Sequence, residues 1–387
     1  MKRWMAAIFL AAAGCGGGPS GSADSAGRDP ADRGHELYSE GKFEAAQREL
    51  EAVVARNPKS TLARRILGRI YLLRGRHKEA SLQFLSYVTL TRSEQIPVDA
   101  TTVQDLFWAF YRMDDYNQAA KAAAMLDDSV LSTKYAEMAR RGPAYTPEWR
   151  DTSCVLPYLV SNPVIRSHGV AGNFTFDLGA GEIVLGREFA KGVRVQVAGV
   201  PSPGFERVEQ GIVESLDLPG LRVRNVPVVV TPDQMGVDGV FGVGFLSHFQ
   251  VTIDHRRGRV VLRPAGSEAR EGEALPLYFA GDRTLLAPAR VDGIETYLII
   301  NPTARGVRFV PSQAMLIEKA RRAPKSPALE RVELGSMTLK VETQDPEKFP
   351  PGLDGAYGFT VGGMLGADAF KSKTLTFDFK AMKIHVE

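Results

Sequence analysis

Two short loops, 124 residues apart, hold the residue types best suited to chemistry in this chain. The first reads Gly172-Asn173-Phe174-Thr175-Phe176-Asp177-Leu178-Gly179-Ala180-Gly181 and sets a carboxylate, Asp177, directly after an apolar, strand-like run. The second reads Tyr297-Leu298-Ile299-Ile300-Asn301-Pro302-Thr303-Ala304 and sets an amide, Asn301, at the same place. The offset extends well beyond the loops. Gly169, Ala180, Ala190, Gly239, Gly242, Thr252 and Asp254 recur as Gly293, Ala304, Ala314, Gly363, Gly366, Thr376 and Asp378. One offset shared by both ends of each copy indicates a duplication, so residues 150–387 are expected to form two related lobes, 150–266 and 272–387. Among these best-matched positions the one exception is Asp177, which becomes Asn301, and the change is chemical. A carboxylate can serve as a general base, whereas an amide neither ionises nor carries an acidic proton.

The elements that must position these loops are strands. Beyond residue 150 short β-branched and aromatic runs are punctuated by Gly and Pro, which predicts strands at Val184-Leu185, Val193 to Val197, Leu221 to Val230, Val251 to Ile253 and Arg259 to Leu262. Arg256-Arg257-Gly258 is expected to turn a hairpin, with Gly supplying a positive φ. The apolar strand entering an Asp-Leu-Gly-Ala loop, followed by Gly239-Val240-Phe241-Gly242, resembles the pepsin and retropepsin superfamily. There the first element is an Asp-Thr/Ser-Gly-Ala loop and the second packs behind it. In the second copy the same elements read Asn301-Pro302-Thr303-Ala304 and Gly363-Met364-Leu365-Gly366.

That resemblance implies what Asp177 and Asn301 were for. In the family two carboxylates about 3 Å apart cannot both ionise, so one acts as base toward a shared water and the other, protonated, polarises the scissile carbonyl. With Asn301 the pair becomes a lone carboxylate beside an amide. The flanking residues depart as well. Leu178 and Pro302 stand where the family uses hydroxyl residues to bind the two loops, and Thr303 replaces a Gly, although Gly179 and Ala180 keep the pattern in the first loop. These departures favour a non-catalytic pair. Three alternatives keep hydrolysis open: an endopeptidase acting at acid pH through Asp177, a pairing of Asp177 with Asp177 of another chain, and a second carboxylate from Glu182, a loop acid otherwise expected to be solvated.

Ahead of the strands the chain is helical. Gly41 recurs at a period of 34 residues as Gly75 and Ala46 as Ala80, with Leu50 matched by Phe84 and Val53 by Tyr87. Leu67-Gly68, Tyr71, Gly75, Ala80 and Phe84, with Pro58 closing the first copy, resemble the tetratricopeptide repeat. A looser third copy carries Leu106, Phe110, Tyr116 and Ala119 or Ala120, with Asp114-Asp115 where the turn Gly would stand, and Ser129 to Arg140 reads as a capping helix. The resemblance implies an α-solenoid over 33–142 with a concave groove for a protein or peptide partner. Gly142 to Pro147 breaks the helical pattern and marks a boundary.

At the N-terminus Lys2-Arg3 precede an apolar run, Trp4 to Ala13, too short to span a bilayer. Ala12-Ala13-Gly14-Cys15 resembles the lipobox of bacterial lipoproteins, with Ala12 where that motif prefers Leu. Residues 1–15 therefore read as a signal segment with lipidation at Cys15, and 16–32 as a flexible tether. Gly16 after the Cys resembles lipoproteins sent to the outer membrane, so a periplasm-facing anchor is expected. Cys154, the second of two Cys, starts an apolar run and reads as a buried structural thiol. The six His show no metal-ligand spacing, so no metal and no cofactor are expected. A formal charge of +3 on 387 residues, with Arg64-Arg65, Arg140-Arg141 and Arg321-Arg322 scattered, gives no nucleic-acid surface. The fold class expected is α followed by all-β: a tetratricopeptide solenoid, then a bilobal pepsin/retropepsin-like β-barrel domain.

Overall fold

A computed structural model describes residues 29–158, 161–199, 208–232, 235–268, 272–310, 313, 329–342 and 356–387. Cys15, most of the expected tether, Ala314 and Arg321-Arg322 lie outside the described residues. Seven helices come first: α1 (Asp32–Ser39), α2 (Phe43–Arg56), α3 (Thr61–Leu73), α4 (His77–Ser93), α5 (Ala100–Tyr111), α6 (Tyr116–Met125) and α7 (Ser129–Arg141). Periodicity explains them. In α2 the buried residues Phe43, Ala46, Leu50 and Val53 fall three or four apart on one face. Local caps fix several starts, with Ser60 accepting from the Ala63 N–H and Asp115 and Asp128 doing the same for α6 and α7.

The hairpin turns share one backbone solution. Gly41, Gly75 and Asp114 have φ of 75°, 73° and 57°, so Asp114 takes up the left-handed turn that Gly provides in the other two repeats. All three turns face the β half. A Cβ on Gly41 would lie 2.7 Å from the Tyr297 ring and one on Gly75 2.7 Å from Met382, while Asp114 Oδ1 is 3.6 Å from His248 Nε2. Phe43 is buried among Tyr278, Tyr297 and Phe359, with ring centroids at 5.3, 5.0 and 4.9 Å. Arg112 lies 3.6 Å over the Phe279 ring and donates to the carbonyls of Phe279 and Gly281. Helices and strands therefore share one continuous core.

The β half begins with β1 (Thr146–Trp149), four residues ahead of the expected start, then β2 (Cys154–Pro157), β3 (Val164–Ser167), β4 (Val170–Phe176), β5 (Ile183–Gly186), α8 (Arg187–Gly192), β6 (Gln196–Gly199), β7 (Glu209–Leu218), β8 (Leu221–Thr231), β9 (Gly239–Phe241), α9 (Val243–Leu246), β10 (Phe249–Asp254) and β11 (Arg259–Pro264). The strand expected from Val193 to Val197 starts only at Gln196. Val193 closes the short helix α8, buried, and Arg194 follows at positive φ. The second lobe holds β12 (Glu273–Pro276), β13 (Tyr278–Ala280), β14 (Thr284–Val291), β15 (Ile294–Asn301), β16 (Val307–Phe309), β17 (Leu329–Leu334), β18 (Met337–Glu342), β19 (Val361–Gly366), β20 (Thr374–Asp378) and β21 (Lys383–Val386).

The 124-residue offset is physical. β4 pairs in parallel with β9, Phe174 opposite Gly239, and β15 pairs in parallel with β19, Leu298 opposite Gly363. Between the lobes lies a six-stranded sheet ordered β12-β21-β20-β10-β11-β2. At its centre β10 and β20 run antiparallel with Thr252 opposite Thr376, their hydroxyls 3.0 Å apart across a pseudo-twofold axis. The surface through which two first lobes would pair is thus occupied by the chain's own second lobe. Cys154 is buried in β2, and burial pushes its thiol up to about 12, which suits a structural role.

Two buried histidines are expected to make the fold sensitive to acid. Burial, with the Arg112 cation adding to it, holds His77 down to about 3, and its Nδ1 is shut off from solvent with no hydrogen-bond partner. Burial also lowers His255, opposed by Asp254. Such groups leave stability intact above their ordinary value near 6.5; below it the unfolded chain binds protons that the folded chain refuses. Stability is expected to fall by up to about 1.4 kcal/mol per pH unit for His77 below pH 6.5. Thermal midpoints between pH 7 and 4 check this, and His77→Gln should flatten the slope; a slope unaltered by that change would remove His77 from the explanation.

Candidate functional site

β4 and β15 deliver Asp177 and Asn301 to each other. Asp177 follows β4 directly, its N–H bonded to the Phe241 carbonyl, and Asn301 ends β15 opposite Gly366. Asn301 Nδ2 donates to Asp177 Oδ1 at 3.3 Å, and the Gly179 N–H donates to the same oxygen at 2.7 Å. Asn301 is 6% exposed, and Asp177 is half-buried. A Cβ on Gly179 would sit 3.0 Å from Asp177 Oδ1 and 3.1 Å from Asn301 Nδ2, so a larger residue there would press on the pair.

The Asn301 amide is fixed in orientation by its own loop. Its Oδ1 accepts from the Thr303 N–H at 3.2 Å, the Thr303 hydroxyl at 2.6 Å and the Ala304 N–H at 3.2 Å. Backbone N–H groups can only donate, so the oxygen must face the loop and the NH2 must face Asp177. Thr303 corrects the expectation that it marks a lost feature. Its hydroxyl accepts from the Leu178 N–H at 2.9 Å and ties the loops together from a position one residue beyond the family's hydroxyl. Leu178 and Pro302 are buried, and the Pro302 carbonyl accepts from Tyr158 at 3.2 Å. Burial and the Asp177 charge push the Tyr158 phenol up to about 12.

Behind the loops the two lobes repeat one arrangement. The Ala180 carbonyl accepts from the Val243 N–H at 2.8 Å, and the Ala304 carbonyl from the Ala367 N–H at 2.6 Å. Gly242 and Gly366 are both pressed on backbone, since a Cβ on either would meet a carbonyl oxygen, of Glu182 or of Gly306, at 2.2 Å. Every residue singled out near the pair is thus brought together at one place, Gly179 and Ala180 in the first loop and Gly242 and Gly366 beneath.

Glu182 is neither solvated nor available to Asp177. Its carboxylate is bound by Lys134, which is fully buried in α7, and accepts from the Tyr135 hydroxyl at 2.7 Å. The ammonium also donates to Gln210 Oε1 at 2.7 Å and the Val228 carbonyl at 3.2 Å, so all three of its protons have acceptors. Burial pulls the Lys134 ammonium below its ordinary range and Glu182 pulls it back. Sequence spacing gave no sign of this pair, because Lys134 falls in the stretch Ser129 to Arg140, read only as a capping helix. Among the described residues there is no cluster of His, Cys, Asp or Glu arranged to hold a metal ion.

The chain joins a tetratricopeptide-repeat segment to an aspartyl-protease-like domain. A tetratricopeptide repeat family model matches residues 31–94 and an aspartyl protease family model matches residues 164–245. Among solved structures the chain is similar to a retropepsin-like aspartic protease from Rickettsia conorii, at 15% identity over 31% of this chain and 94% of that one, with a TM-score of 0.25. Comparison with curated proteins gives no match. Tetratricopeptide repeats in general mediate protein–protein contacts; here three of the turns are already covered by the chain's own β half.

Proposed function

We propose that this is an aspartyl-protease-like binding module without peptidase activity, carried on a tetratricopeptide stack that joins it to a protein partner. The observation that carries the reading is the oriented Asn301 amide, which offers Asp177 a hydrogen-bond donor with no proton to give. Hydrolysis needs a base for water and an acid for the carbonyl oxygen. Asp177 can fill the first role, and nothing at 301 fills the second. Loss of one partner in general acid–base catalysis costs about 10²- to 10⁴-fold. A domain of this kind retains the other property of its class, binding an extended peptide as an added strand, which needs no acid pair.

The test is fluorescence anisotropy with labelled, denatured casein. Binding is expected in the wild type and in Asp177→Ala alike, with the label remaining on full-length casein. Absence of binding in both would remove the peptide-binding reading. The active alternative, an acid endopeptidase, is disfavoured by the same amide.

We also propose an envelope location, with Cys15 lipidated and the module facing the periplasm, the outer membrane favoured by Gly16. Its support is the Ala12-Ala13-Gly14-Cys15 motif followed by a Gly/Ser/Ala-rich stretch. Wild type is expected in the detergent phase on phase partitioning and Cys15→Ala in the aqueous phase; equal partitioning would remove the anchor.

A further inference from the structure

The two lobes hold their loop exits by different means, and the difference follows the duplication. In the second lobe the Asp368 carboxylate accepts from the Gly306 N–H at 2.6 Å, so the residue two beyond Gly366 braces the loop five beyond Asn301. At the matching positions of the first lobe the roles cannot be repeated, because Asp368 corresponds to Gly244 and Gly306 corresponds to Glu182. In place of the carboxylate beneath the loop the first lobe has Gly244, whose N–H donates to the Gly181 carbonyl at 2.5 Å, and it carries a carboxylate on the loop itself. That carboxylate turns outward to the helical half, where Lys134 and Tyr135 of α7 hold it, while the Glu182 carbonyl stays pressed on Gly242.

We propose that Lys134 and Tyr135 are positioning residues for the Asp177 loop: through Glu182 the last helix of the tetratricopeptide stack supplies from outside the brace that Asp368 supplies within the second lobe. The burial of the ion pair fits this role. Lys134 is fully buried and the Glu182 side chain is 10% exposed, so the ammonium has no water as an alternative partner and the carboxylate little. α7 also packs on β6, β7 and β8 and carries the Lys134 contact to Gln210 of β7, so it is a joint between the halves and not an outer cap. A change at α7 therefore reaches the loop that presents Asp177. The inference is independent of whether the site cuts peptide or only holds it.

The duplication supplies an internal control. In full-length protein, amide hydrogen exchange is read at Leu178 and Gly179 of the first loop and at Thr303 and Ala304 of the second. Tyr135→Phe removes one hydroxyl, and exchange at Leu178 and Gly179 is expected to quicken about fivefold, the factor for one net hydrogen bond, with Thr303 and Ala304 unchanged. Lys134→Met combined with Glu182→Met removes both charges without stranding either, and the same asymmetry is expected there. Equal quickening in both loops would show a merely global loss of stability, and no change at Leu178 and Gly179 would show that α7 does not position the loop; either result overturns the proposal.

Discussion

Replacing Phe43 by Ala is expected to lower stability by about 3–5 kcal/mol, the cost of emptying a well-packed aromatic site. Phe43 starts α2, so by sequence it belongs to the first repeat. By contact it belongs equally to the second lobe, where Tyr278, Tyr297 and Phe359 surround it and Tyr297 donates to the Gly41 carbonyl at 2.9 Å. The cavity left by Ala cannot collapse easily, because two of its walls, Tyr278 and Tyr297, are rings held by strands and the third, Phe359, is a buried ring just ahead of β19. The loss should appear as a lower denaturant midpoint at unchanged slope, with helix and strand signals moving together. A loss below about 1 kcal/mol, or helices melting apart from strands, would mean that the halves do not share a core.

Lys134→Ala is expected to cost a similar amount, about 3–5 kcal/mol, for an electrostatic reason. The substitution leaves Glu182 with the Tyr135 hydroxyl and no cation, in a largely buried site. Lys134→Met with Glu182→Met should recover most of the loss, since apolar side chains of similar size remove the need for pairing. Urea denaturation of the single and double variants measures both. A double variant as unstable as the single one would contradict the reading that the stranded carboxylate is the source of the loss.

Much of the architecture was legible because duplication and repetition write the same constraint twice. The shared offset located Asn301 as the counterpart of Asp177, and β4/β9 and β15/β19 repeat that offset in their register. The 34-residue period located the turns at Gly41 and Gly75, and Asp114 kept the turn because Asp tolerates the left-handed region better than most residues. Pairings between the halves were not legible. Lys134 and Glu182 lie 48 residues apart and meet only through the packing of α7 on the first lobe, which no local period encodes. Thr303 was misread for a related reason. Judged against the loop pattern it is a lost Gly, but its value lies in the Leu178 N–H of the opposite loop, a partner that exists only after the lobes close. The contrast of Gly244 with Asp368 and of Glu182 with Gly306 was the signal available, and it acquires meaning once the loops are seen in space.

On the proposed function, Asp177 beside the Asn301 amide cleaves no peptide bond. The most direct measurement is release of acid-soluble fragments from denatured casein between about pH 3 and 7, comparing wild type with Asp177→Ala over the interval in which acid peptidases work. No release that depends on Asp177 is expected at any pH. Fragment release by the wild type that Asp177→Ala abolishes would contradict the claim and restore the endopeptidase.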